Sequence, residues 1–206
     1  MKQNFLVLCL LLGSQQLVQI ADPKVIFEAA LREKLDTGWD WLRENPKTWR
    51  HSSRGLEMRV EPGLADTVKN ALVRKAPDRS QGKCAIEVTV EFTSPPSQQY
   101  EQAGLTWYHG NKPVFKLVHE HIDGKSYVIP GKKLVEDRLI ELRLVVSKDQ
   151  FIAQFRPGAK GELETAASGK LATGSDEKVS IQCYNGPSND AHWMRFSDFR
   201  IIKLSE

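Results

Sequence analysis

Cysteine is scarce: three in 206 residues, far too few for a scaffold held by disulfides. Charge of one sign is scarce too. The 29 Lys and Arg against 26 Asp and Glu leave a net charge of +3 with no basic run, which excludes the clustered stripe a nucleic-acid partner requires. Long apolar runs are missing, since the clearest, residues 5–12, is too short to cross a bilayer of roughly 30 Å as a helix. There is no Gly-x-Ser-x-Gly elbow, no phosphate-binding glycine loop and no Cys/His zinc spacing, so several familiar enzyme classes lack their chemistry here. No stretch reads as a convincing amphipathic helix and nothing repeats.

What is present is a 40% hydrophobic chain with Gly and Pro spread along it, the composition of one β-rich globular domain. Lys2, the apolar run, then Gly13, Ser14 and a semi-polar stretch ending at Ala21 follow the layout of a secretory signal peptide. The expectation is a signal at residues 1–21, a domain over 22–206, a secreted or periplasmic protein and no membrane span in the mature chain. Removing the signal leaves Cys84 and Cys183, both at inward positions of their strands. They form either a bridge or two separately buried thiols, with the thiols favoured.

Alternation of apolar and polar residues supplies the strands. The clearest is 84–92, with Cys84, Ile86, Val88, Val90 and Phe92 on one side and Glu87, Thr89 and Glu91 on the other. Residues 56–60 place Leu56, Met58 and Val60 inward, and 140–146 do so with Ile140, Leu142, Leu144 and Val146. Further strands are read at 25–27, 127–129, 151–155, 179–184 and 193–204. Residues 70–75 read as a strand with Ala71 and Val73 inward and Asn70, Leu72 and Arg74 opposite, and 157–175 read as a glycine-containing loop holding at most one poor strand. The stretch 98–125 organises the rest. In 103–108, Ala103, Leu105 and Trp107 face one way and Gln102, Gly104, Thr106 and Tyr108 the other. A polar connection, 109–113, leads into a second strand at 114–121.

Several of these pieces occur together in a known pattern: Gln102-Ala103-Gly104-Leu105, Phe115-Lys116-Leu117, Asp123-Gly124-Lys125, the closing Phe196-x-Asp198-Phe199-Arg200-Ile201, and the early Gly38-Trp39 and Gly55-Leu56. Over roughly residues 27–203 the chain resembles the bacterial family labelled domain of unknown function thirteen-forty-nine, in the concanavalin-A-like lectin/glucanase superfamily. It is also similar to the accessory sandwich behind the catalytic domain of family-43 β-xylosidases. The resemblance implies an all-β fold, a two-sheet antiparallel jelly-roll sandwich whose concave sheet often binds saccharides. The shared motifs keep a sandwich closed and carry no chemistry, so function has to come from the site.

On that sheet order the outward side chains Asn70, Arg74, Gln102, Thr106, Tyr108, Lys116, Glu120, Gln182 and Tyr184 share one concave surface. Planar polar groups for adjacent hydroxyls and aromatic faces for sugar C–H surfaces are what saccharide recognition needs. The expected function is non-catalytic carbohydrate or glycan binding, with no cofactor, no metal and no catalytic residue. Two alternatives stay open: a glycoside-hydrolase-like enzyme and a protein-interaction module whose sheet receives a partner chain. For the enzyme, Glu101 and Glu120 are the only candidate pair, and their parities differ. Lys116, on Glu120's face, suits a carboxylate anion better than a proton donor. His119 and His121 face one side of their strand, as two metal ligands would, yet they share that side with Phe115 and Leu117 and fit a core cap better. Trp39, Trp41 and Trp49 are expected to seal the ends of the sandwich, with Trp193 the candidate for an exposed platform.

Overall fold

The computed structural model describes residues 23–158 and 160–205. The expected signal peptide lies outside them. Among the described residues no helix is long and apolar enough to cross a membrane.

The strands assemble into two antiparallel sheets. The first runs β13 (Glu164–Lys170), β12 (Gln150–Pro157), β11 (Leu139–Ser147), β6 (Cys84–Phe92), β15 (Trp193–Lys203), β4 (Gly55–Arg59) and β3 (Trp49–Ser52), with β1 (Lys24–Ala29) also paired to β15. The second runs β10 (Lys133–Val135), β9 (Lys125–Ile129), β8 (Lys112–Ile122), β7 (Gln102–His109), β14 (Glu177–Tyr184), β5 (Ala71–Lys75) and β2 (Asp40–Leu42). Their inner faces meet in one core. Ile86, Val88, Val90, Leu142, Leu144, Met194 and Phe196 come from the first sheet, and Leu105, Trp107, Leu117, Val128, Val179 and Ile181 from the second. The all-β, two-sheet expectation holds.

Local chemistry sets the joints. The β8–β9 turn is Asp123-Gly124, both residues at positive φ (53° and 76°), the backbone that matches the twist of a tight hairpin. The β7–β8 turn is Gly110-Asn111, shorter than the connection expected, because pairing begins at His109 opposite Lys112. In β15, Phe196 and Phe199 are three residues apart yet both lie in the core. A bulge between Ser197 and Arg200, with Asp198 at φ 52°, absorbs the extra residue. It also marks where β15 exchanges neighbour β4 for β1.

Trp41 and Trp49 lie on short edge strands, one in each sheet, and pack against the core with their indoles stacked 4.9 Å apart. Two expectations change. The 157–175 stretch holds a seven-residue edge strand, β13. In β5 the inward face is reversed: Leu72 belongs to the core and pairs with Ile181, while Ala71 and Val73 face the other way. All three are at most 2% exposed, so burial on both faces erased the contrast that alternation depends on.

Trp39, at 4.8 Å from Phe199 and 6.1 Å from Phe27, closes one edge of the core as expected. Trp193 lies at the outer face of the first sheet, with Arg50 at 4.2 Å over its ring. Cys84 and Cys183 are two separate buried thiols. His119 is fully buried, its ring edge-on to Phe92 at 4.6 Å. Burial first, and His121 second, pull its pKa down to about 3. Among the described residues no group of three or more potential ligands gathers for a metal.

Candidate functional site

The outer face of the second sheet carries a row of side chains in register across five strands: Leu134 on β10, Tyr127 on β9, Glu120 on β8, Gln102 on β7 and Tyr184 on β14. The next row is Ile129, Val118, Gly104 and Gln182, and the one after it Lys116, Thr106, Ser180 and Val73. Gly104 adds no side chain to this face. A Cβ there would sit 2.3 Å from the Leu117 carbonyl oxygen, so the close approach of β7 and β8 requires glycine.

Lys116, Gln102 and Glu120 form one connected set. The Lys116 ammonium donates to Gln102 Oε1 at 2.7 Å and to Glu120 Oε2 at 3.0 Å. Gln102 Nε2 donates to Glu120 Oε1 at 3.1 Å and to the Tyr100 carbonyl at 2.8 Å. Gln102 and Glu120 are 3% and 5% exposed, whereas the Lys116 side chain keeps 34% of its surface. An amide, a carboxylate and an ammonium are thereby fixed in orientation, with the lysine at the surface. Thr106 Oγ1, across from Lys116, is buried with no hydrogen-bond partner among the described residues. Two tyrosines are near the set, Tyr127 by register and Tyr100 through its carbonyl, which accepts from Gln102. Tyr127 pairs with Glu120 and has the Lys132 ammonium 5.4 Å from its ring centre, and Tyr100 is 49% exposed. Parity opposite the inward Val128 made Tyr127 legible in the sequence, but it was not among the expected residues.

The remaining expected residues are placed differently. Tyr108 does face outward, yet it is fully buried: its hydroxyl lies 2.7 Å from the Ala65 carbonyl, to which it donates, and 2.7 Å from Gln182 Oε1. Ser180 Oγ donates to the same Gln182 oxygen at 2.9 Å. The covering segment is held by Arg43, whose Nε donates to the Val68 carbonyl at 2.7 Å. Tyr108 and Gln182 therefore anchor this cover and offer a ligand nothing. Tyr184 is 4% exposed and provides no stacking face. Asn70 is also structural: at φ 58° it accepts the Asn45 backbone N–H at 2.6 Å and donates from Nδ2 to Thr48 Oγ1 at 2.8 Å. Arg74 shares Leu72's face, on the core side, with its guanidinium 3.2 Å from the Phe27 ring centre and 5.1 Å from that of Trp39. Of the nine expected residues, Gln102, Lys116 and Glu120 form the connected set, with Thr106 and Tyr184 in its rows.

Glu101 and Glu120 do not bracket a common space. Glu101 is 1% exposed, holds the His192 Nδ1 at 2.9 and 3.0 Å from its two oxygens, and accepts the backbone N–H groups of Ser97 and Gln98. These bonds tie the 97–101 turn to the loop before β15.

No family model matches the sequence, and no curated protein sequence matches it. Among solved structures, the GH43 BlXynB protein from Bacillus licheniformis superposes with a TM-score of 0.66 at 20% identity, over 86% of this chain and 39% of that one. The CBM2 module of the Lactobacillus casei BL23 phage J-1 evolved Dit gives 0.54 at 10% identity, over 89% and 97%. The alginate lyase from Corynebacterium sp. gives 0.52 at 11%, over 76% and 81%. The likeness is one of fold. A jelly-roll-like, concanavalin-A-like sandwich is what these chains share with this one, and the chain spans well under half the length of the GH43 protein.

Proposed function

We propose that this protein binds a saccharide on the outer face of the second sheet without cleaving it. The Lys116 ammonium, held in place by Gln102 and Glu120, hydrogen-bonds a sugar hydroxyl, and Tyr127 and Tyr100 flank the sugar ring. The observation that carries this reading is the fixed Lys116–Gln102–Glu120 set. Polar groups already oriented by one another lose little freedom when a ligand arrives, and the exposed ammonium can turn from its protein partners to a hydroxyl. Carbohydrate-active neighbours of the same fold are compatible with it. That Glu101 is committed to His192 favours binding over hydrolysis, since the candidate partner for Glu120 is engaged elsewhere. Membership of the bacterial family that the sequence resembles, export from the cytoplasm and removal of residues 1–21 belong to the same proposal.

A glycan array probed with the full domain tests it. Retention of at least one glycan is expected, with loss of at least tenfold in affinity for Gln102→Ala, equivalent to about 1.4 kcal/mol. If no glycan is retained, or if Gln102→Ala binds as the parent does, the reading fails.

A further inference from the structure

The outer face of the first sheet is built from stacked ion pairs of unequal exposure. Glu57, Glu87 and Glu141 lie low on the sheet, their side chains 8%, 5% and 10% exposed. Above them stand the arginines: Arg195 and Arg50 on Glu57, Arg143 and Arg200 on Glu87, Arg156 on Glu141. Burial by itself would push the Glu57 carboxyl up, but the hydrogen bonds from Arg195 and Arg50 outweigh it and hold Glu57 below the usual carboxylate range. The carboxylates act as a base layer. Of these arginines Arg50 meets solvent most, at 59%, and Arg54, beside them on Glu91, is 62% exposed, whereas Arg195 is largely covered.

At one end of this array is a cleft of about 420 Å³. Arg32, Arg54, Arg195 and Lys160 line it, against Glu91 and Asp198, leaving an excess of one positive charge once Glu57, the second partner of Arg195, is counted, and Thr89 and Ser197 supply hydroxyls. Both acids are already engaged. Glu91 takes Arg54 Nη2 at 2.9 Å and a close contact from Arg195, while Asp198 takes the Ser197 hydroxyl at 2.9 Å and lies 3.7 Å from Arg32. Arg195 is 13% exposed and is fixed by Glu57 and Glu91 together. Arg54 meets Glu91 through Nη2 alone, which leaves Nε and Nη1 for another acceptor, and Lys160 has no ion-pair partner among the described residues. Held at Nη2 by Glu91, the Arg54 guanidinium keeps separate donors at Nε and Nη1 for an oxyanion.

We infer that this cleft is a second ligand site, distinct from the Gln102 face, for an anionic group borne on a sugar, a carboxylate or a sulfate. Arg54 and Lys160 pair with the anion and Thr89 and Ser197 meet neighbouring hydroxyls. The volume suits one ring with its charged substituent. A nucleic acid or an anionic membrane would instead want an extended unpaired basic stripe, and the arginines of this ion-pair layer are each paired with a carboxylate.

Calorimetry with the full domain tests the site, using trigalacturonate, a sulfated galactose trisaccharide, the fully methyl-esterified trigalacturonate and inorganic sulfate. At least one of the two acidic oligosaccharides is expected to bind. Its affinity should fall at least tenfold in Arg54→Gln and in Lys160→Gln, weaken as salt rises, and stay unchanged in Gln102→Ala. The methyl ester should not compete. Which oligosaccharide binds identifies the anion. Both substitutions are at exposed positions, and an unchanged thermal midpoint confirms the fold. The proposal is overturned if neither acidic oligosaccharide binds, if inorganic sulfate alone does, or if binding survives both substitutions. Because Gln102→Ala is a separate arm, failure here leaves the saccharide site on the second sheet standing, and the reverse holds.

Discussion

His119 offers the sharpest test of how the core is built. Its ring is fully buried against Phe92, both ring nitrogens lack a hydrogen-bond partner among the described residues, and its pKa is held at about 3 against an ordinary 6.5. A group whose charged form is disfavoured in the folded state binds its proton more readily when unfolded. Stability therefore rises with pH between about 3 and 6.5 and is lost as pH falls through that window. The slope is about 1.4 kcal/mol per pH unit, so His119 alone costs about 2 kcal/mol between pH 6.5 and about pH 5. Replacing it by leucine removes this proton and no other. Urea unfolding of both proteins at about pH 7, 6 and 5 reads the effect as the change in the difference between them. At neutral pH, His119→Leu should lie within about 1 kcal/mol of the parent, since the unpartnered nitrogens it removes were themselves unfavourable. At about pH 5 it should be the more stable by about 2 kcal/mol relative to that starting point. Parallel pH dependence in the two proteins would refute the reasoning, because a histidine that titrates normally cannot be sealed in the core.

Two further substitutions test the placements that separate support from site. Tyr108→Phe should lower stability by about 1–2 kcal/mol in chemical denaturation, through loss of its hydroxyl contact with Ala65, while glycan affinity changes by less than about twofold. A large affinity loss with unchanged stability would return Tyr108 to the site. Arg79→Ala should cost about 3–5 kcal/mol of unfolding free energy: its side chain is 2% exposed, pairs with Glu177, and donates to the carbonyls of Leu171 at 2.7 Å and Ala172 at 3.0 Å. A loss under about 1 kcal/mol would mean that the 171–177 turn is held by other contacts.

How much of this was legible in the sequence follows from what each residue touches. The strands with one buried face, 84–92 and 140–146 above all, announce themselves because alternation records the difference between core and solvent. The connected site residues were legible for the same reason, since Gln102 stands opposite Ala103 and Leu105 in parity, and Tyr127 was available by the same rule. What failed lies where both faces are covered. Ala71, Leu72 and Val73 carry no contrast, so the side on which Arg74 stands could not be read. Tyr108 was correctly seen to face outward, but its cover comes from Ala65, 43 residues away, and no local pattern reports a segment folding over a sheet. The ion-pair layer on the first sheet is a third case. Glu57, Glu87 and Arg195 sit at outward positions and look like ordinary solvated charges until the cross-strand register brings them together.

The claim that matters most is that the Lys116–Gln102–Glu120 set receives a sugar. Backbone amide shifts followed by NMR during titration with a glycan that the domain retains test it residue by residue. The account predicts shifts concentrated at Gln102, Lys116, Glu120 and Tyr127, with Asn70 and Arg74 unmoved. Shifts that leave those four untouched and gather elsewhere would contradict it.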